Sequence, residues 1–236
     1  MPETVVFLPE MMCDARLFGP QIADLSRDHA VMAAPVSQGE RIEEIASNVL
    51  DMAPRRFALA GLGFGGIVAL ELFRRAPDRV TRLALIATHS SADTPQAAAL
   101  RDPRIIRARM GRLREVLAEE FPSSCLAPGP QRKEVLELVA EMALGLGVES
   151  YIRQVRALQR RRDQQGTLRR IGVPTLVLCG AGDTLCPVKR HAFMAEMIPK
   201  ATLTVIEDAG HLPVLERPEE VTTALRDWLG QPLLLR

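Results

Sequence analysis

The chain has 236 residues, 47% of them hydrophobic, enough for one sizeable core and short for two full domains. Thirty basic residues against 29 acidic ones leave a net charge of +1, which offers nothing to a nucleic acid or an acidic polymer and points to a small-molecule partner. Four cysteines without C-x-x-C spacing, no basic leader after Met1 and no apolar run of membrane-spanning length argue against a zinc site, a disulfide scaffold and a bilayer span, and imply a soluble cytoplasmic protein.

In chain order, short apolar runs predict six buried strands: Thr4 to Leu8, Ala30 to Ala34, Phe57 to Ala60, Val80 to Ala87, Pro174 to Cys179 and Ala201 to Ile206. Helical periodicity lies between them, in Ile42 to Leu50, in Ile67 to Phe73 and in Val221, Leu225 and Trp228. Such alternation predicts an α/β fold with a mostly parallel sheet and helices on both faces. It breaks between Thr88 and Arg170, where helical patterns follow one another past Pro122, Pro128-Gly129-Pro130 and Gly145-Leu146-Gly147. We therefore expect a core made of 1–87 and 171–236 and a helical cap inserted over 88–170. The cap carries 15 basic and 10 acidic residues, with a patch at Arg160-Arg161-Arg162 read as a solvated helix face; an anionic-substrate funnel is the other reading.

The most specific local feature is Phe57-Ala-Leu-Ala-Gly-Leu-Gly-Phe-Gly-Gly66, a buried strand, a glycine-rich turn and an apolar helix. It has the pattern of a nucleophile elbow, G-x-S-x-G, in which a strained strand-to-helix turn presents a serine hydroxyl. Gly61 and Gly65 take the flanking positions, and Gly63 stands where the hydroxyl belongs. The same glycines match G-x-G-x-x-G literally, but two strands precede them and no acid closes the next strand, so a dinucleotide fingerprint is the weaker reading.

Asp183 follows the fifth strand in Gly180-Ala-Gly-Asp-Thr-Leu-Cys-Pro187, and His211 follows the sixth in Asp208-Ala-Gly-His-Leu-Pro213. Taken alone, the first reads as a turn or cap residue and the second as a surface histidine. Their order decides otherwise: elbow, acid and histidine follow the third, fifth and sixth strands, the order of nucleophile, acid and base in a hydrolase.

With Leu8-Pro9-Glu-Met-Met-Cys-Asp-Ala-Arg16 after the first strand and Glu216-Arg-Pro218 behind the histidine, the chain resembles the α/β-hydrolase superfamily, in particular small bacterial esterase-like and lactonase-like members. The resemblance covers nearly the whole chain. It implies a small ester or lactone as substrate, no cofactor and no metal, an Asp183–His211 pair, and an oxyanion hole of backbone N–H groups from Phe64 and from Met11 or Met12. Glu10, where the resemblance implies glycine, bears on which of those donors serves. His89, Ser90 and Tyr151 are expected to line the substrate pocket; Cys13 and Cys186 read as apolar fillers rather than alternative nucleophiles.

Gly63 removes the attacking atom, so the chain is expected to be nearly inert as a serine esterase. Gly63 reads as a replacement for serine that relieves strain at the elbow, and Gly63→Ser alone is expected to restore hydrolysis. Two other readings stand beside this one: an enzyme using Asp183 and His211 without a nucleophile, and a binding protein that kept the pocket without the chemistry.

Overall fold

A computed structural model describes residues 3–233, so the reading made at Met1 lies outside the described residues. Six parallel strands form one sheet: β1 (Val5–Leu8), β2 (Val31–Ala33), β3 (Phe57–Leu62), β4 (Val80–Ile86), β5 (Thr175–Gly180) and β6 (Ala201–Ile206), in the order β2-β1-β3-β4-β5-β6. Every expected strand is present, with ends shifted by at most two residues.

The apolar runs of the central strands are continuous because both faces are covered. Alternate residues feed two cores. Val6, Leu8, Leu59, Leu83 and Val177 pack with α2 (Ile42–Met52), α3 (Phe64–Arg75) and α9 (Val188–Met197). Val5, Phe7, Ala58, Ala60, Ile86 and Leu178 pack with α1 (Gly19–Leu25) and α11 (Pro218–Gly230), whose Trp228 is fully buried. At roughly 25 cal/mol per Å² of apolar surface removed from water, these two cores are the main stabilising term and fix the strand ends against one another.

Between β4 and β5 the chain is helical: α4 (Pro95–Ala99), α5 (Asp102–Arg107), α6 (Leu113–Glu120), α7 (Arg132–Arg160) and α8 (Gln165–Leu168). Gly147 breaks α7 with φ of 79°, in the left-handed region that glycine enters at no steric cost, which accounts for the Gly145-Leu146-Gly147 punctuation. Gln154 of α7 ties this segment to the sheet. Its Oε1 accepts from Met12 N–H at 2.9 Å and its Nε2 donates to Val36 O at 3.1 Å, joining the loops after β1 and β2. No helix among the described residues is long and apolar enough to cross a membrane.

Candidate active site

The turn between β3 and α3 has elbow geometry. Gly63 takes φ of 51° and ψ of −111°, strained for any side chain. Its N–H donates to Ile86 O at 2.9 Å, and its carbonyl accepts from Thr88 Oγ1 at 2.7 Å. A Cβ on Gly65 would overlap the Leu8 carbonyl, so the backbone of the loop after β1 comes down directly onto the elbow. That close approach brings Glu10 to Gly63.

Glu10 occupies the place where hydrolase chemistry would occur. Its Oε1 accepts from Phe64 N–H at 2.9 Å and from Met11 N–H at 2.5 Å, the two backbone donors expected to form an oxyanion hole. Its Oε2 lies 3.0 Å from His211 Nε2. A Cβ built on Gly63 would overlap the same Oε2. Only glycine at position 63 leaves room for this carboxylate, so the two departures from the hydrolase pattern fit each other in space. The expectation that Gly63→Ser alone restores a serine site is corrected accordingly: the hydroxymethyl group would meet Glu10.

On the other side of the imidazole, His211 Nδ1 lies 2.9 Å from Asp183 Oδ2. Asp183 Oδ1 accepts from Leu185 N–H at 2.9 Å and Cys186 N–H at 2.8 Å, so this carboxylate is both the turn cap and the partner of the histidine. Glu10, Asp183 and His211 are 5%, 4% and 3% exposed. Burial opposes the charged imidazole, but hydrogen bonds to Asp183 and Glu10 and the charges of both outweigh it and push His211 up to about 10. At neutral pH His211 is an imidazolium held between two carboxylates. Asp183, Cys186 and His211 offer ligand atoms within 4.8 Å of one another. Those of Asp183 and His211 are spent on the hydrogen bonds just described, and burial holds the Cys186 thiol protonated, so they do not form a ready metal centre.

The loop carrying His211 is held from below by Glu216 of α10 (Pro213–Glu216), which is 5% exposed. Its Oε2 accepts from Gly210 N–H at 2.9 Å and Ala127 N–H at 2.7 Å, and its Oε1 from Leu212 N–H at 3.0 Å. His211 N–H in turn donates to Cys125 O at 2.7 Å, fastening the loop to the segment before α7. Behind the elbow, Thr88 N–H donates to His191 Nε2 at 3.0 Å, and burial pushes His191 down to about 4, so it is a neutral acceptor.

A cavity of about 200 Å³ opens on these groups, lined by Glu10, Gly63, Phe64 and His211 from the sheet edge and by Arg101, Leu158 and Arg161 from the helical segment. A larger groove of about 770 Å³ lies within the helical segment and shares only Phe121 with it.

Of the expected lining residues, His89 is present. Ser90 is not: its carbonyl accepts from Gln164 N–H, which turns the residue into a support for the chain entering α8. Tyr151 is not either, being fully buried with its hydroxyl donating to Glu120 Oε1 at 2.8 Å. Met12 is corrected as an oxyanion donor, since its N–H is committed to Gln154. Arg161 is corrected as a solvated residue: its side chain is 3% exposed and pairs with Asp93 at 2.8 Å, at the cavity wall. All four cysteines are free and buried. Glu10 itself was legible only as an anomaly. A glycine where a hydroxyl is needed, together with an acid where a small residue is expected, was the available signal.

A parallel sheet with an elbow after β3, an acid after β5 and a histidine after β6 defines an α/β hydrolase. The model of the Alpha/beta hydrolase family matches residues 14–224, and the chain belongs to that family. Among its relatives is the pimeloyl-[acyl-carrier protein] methyl ester esterase of Aromatoleum aromaticum, 29% identical over 212 residues that cover 81% of each chain. Among solved structures, a thermophilic esterase from Thermogutta terrifontis superposes with a TM-score of 0.86 at 28% identity, over 96% of this chain and 89% of that one. The enol-lactonase of Burkholderia xenovorans shares the fold, with a TM-score of 0.86 at 24% identity over 98% and 92% of the two chains.

Proposed function

We propose that this chain carries a small-molecule hydrolase site of the esterase and lactonase kind in which Glu10 occupies the place of the serine nucleophile beside His211 and Asp183, and that ordinary serine-esterase turnover is nearly absent. The observation that carries this reading is the position of one carboxylate. Glu10 takes the hydrogen bond from His211 Nε2 that a serine Oγ would take, and it fills the N–H groups of Phe64 and Met11 that a substrate carbonyl would use.

The arrangement also disfavours a bare Asp183–His211 dyad. A base must be free to accept a proton, and an imidazole pushed up to about 10 already holds one. As names for the chemical neighbourhood, the relatives supply methyl esters and lactones. A cavity of about 200 Å³ fits a small substrate or the reacting end of a longer one.

The test is reconstruction. Glu10→Gly combined with Gly63→Ser should hydrolyse p-nitrophenyl acetate and react with a fluorophosphonate at position 63, whereas the wild type and Gly63→Ser alone should do neither. A folded double variant that is unreactive in both assays would show that this is not a hydrolase site.

A further inference from the structure

We propose that Arg101 and Glu120 form a hydroxyl-reading subsite in the wall of the cavity that opens on Glu10 and His211, so that the ester or lactone taken there is a neutral one bearing a hydroxyl group. The inference rests on the reading of this cavity as a small-molecule hydrolase site and goes on to say which molecules it admits.

The wall contributed by the helical segment is built from paired charges. Asp93, in the chain after β4, accepts from Arg101 Nε at 3.1 Å and pairs with Arg161 Nη2 at 2.8 Å. Glu120, at the end of α6, uses its Oε1 to accept from the Tyr151 hydroxyl at 2.8 Å and lies 3.3 Å from Arg104 Nη1. Arg101, Glu120 and Arg161 line the cavity. The guanidinium charges of Arg101 and Arg161 are balanced by the carboxylates of Asp93 and Glu120, so this wall is dipolar and has no net charge with which to draw an anion.

One contact in the array is open. Arg101 Nη1 lies 4.0 Å from Glu120 Oε2, beyond hydrogen-bond reach, although the side chains are only 19% and 9% exposed. Each head is anchored away from the gap, Arg101 by Asp93 and Glu120 by Tyr151 and Arg104. Tyr151, fully buried and away from the cavity, thereby holds Glu120 in place rather than touching a substrate. A single oxygen atom about 2.8 Å from each head spans such a gap. It must donate to the carboxylate and accept from the guanidinium, and a hydroxyl does both.

The same geometry excludes other groups. A substrate carboxylate would meet Glu120 and an ammonium would meet Arg101, each a like-charge contact that costs more here than in bulk water. An alkyl group that displaced water from the gap would leave two charged groups without a partner, the larger penalty in hydrogen-bond exchange. Ile67, Leu158 and Leu185 on the remaining wall accommodate the carbon skeleton.

The test compares matched esters: methyl 3-hydroxybutanoate with methyl butanoate, and 2-hydroxyethyl acetate with ethyl acetate, which place the hydroxyl on the acyl or the alcohol side. Binding to the wild type, followed by ligand-observed NMR titration, requires no turnover. In at least one pair the hydroxy ester should bind roughly ten-fold more tightly. Glu120→Gln, with Oε1 kept on Tyr151, turns N–H groups toward the gap in place of the acceptor and should bring that ratio close to one, as should Arg101→Met. A merely structural role would weaken both members of a pair alike. Equal affinity within both pairs, no binding of any of the four, or a ratio that survives both substitutions would overturn the subsite. Should neither variant fold, the wild-type ratios decide alone.

The Glu10→Gly, Gly63→Ser double variant separates this inference from the reading beneath it. The hydroxyl preference should reappear there in kcat/KM. Preferential binding without any hydrolysis by that variant would keep the subsite and sink the hydrolase reading, whereas hydrolysis with no preference in either pair would do the reverse.

Discussion

Glu10 and Gly63, 53 positions apart in the chain, share one volume: the carboxylate oxygen that meets His211 lies where a Cβ at position 63 would be. Each residue is tolerable because of the other. A side chain at 63 would meet Glu10, and a glycine at 10 would leave two backbone N–H groups and the imidazole without their present acceptor.

That relationship predicts the cost of changing one partner alone. Gly63→Ser adds a side chain at a φ of 51° and forces it against a buried carboxylate, and should lose roughly 2 to 4 kcal/mol of stability. Chemical denaturation reads the loss. Glu10→Gly in the same chain should recover most of the packing part of it, and the double variant should hydrolyse p-nitrophenyl acetate at least roughly a thousand-fold faster than Glu10→Gly alone. Equal stability of the single and double variants would mean that the two positions do not compete for space.

His211 gives a pH signature. Its folded-state value, about 10, lies above the ordinary imidazole value near 6.5, so its contribution to stability is complete below about pH 6.5 and is lost as pH rises toward 10. Thermal melts of the wild type should fall over that window, and the fall should be smaller in Glu10→Gln, where one of the two carboxylates is gone. Imidazole NMR should show His211 charged at pH 8 in the wild type. A neutral ring there would contradict the ion-pair assignment.

The opposite sign holds for His191. Burial lowers its folded value to about 4, so the stability due to its neutral form is full above about pH 6.5 and is lost as pH falls toward 4, in total roughly 3 kcal/mol. His191→Gln keeps an acceptor for Thr88 N–H without the titration. Its acid limb, measured by urea unfolding from pH 7 to pH 4, should be shallower than that of the wild type.

Glu216 is a positioning residue for the His211 loop. Glu216→Ala strands the N–H groups of Ala127, Gly210 and Leu212 and should cost about 3 kcal/mol or more. Glu216→Gln keeps acceptor atoms and should recover part of this. In the Glu10→Gly, Gly63→Ser background, Glu216→Gln should lower kcat more than it raises KM, because the loop orients the base rather than binding substrate. The reverse split would make Glu216 only a structural support.

The sequence by itself determined the sheet, the elbow, Asp183 and His211, because each is written in local chemistry. Strands show as apolar runs, the elbow as glycines at fixed offsets, and the acid and histidine as polar residues at the ends of strands whose order is legible. It also determined that position 63 has no attacking atom. Tertiary structure alone decided what replaces that atom. Glu10 and His211 are 201 positions apart, and no local pattern says that the loop after β1 descends far enough onto the elbow for a carboxylate to enter the oxyanion hole. The same holds at Arg161, whose neighbours Arg160 and Arg162 are solvated while it turns inward to Asp93 at the end of α7. Periodicity gives the face of a helix, but which charged residue is buried depends on a partner that folding brings from a distant part of the chain.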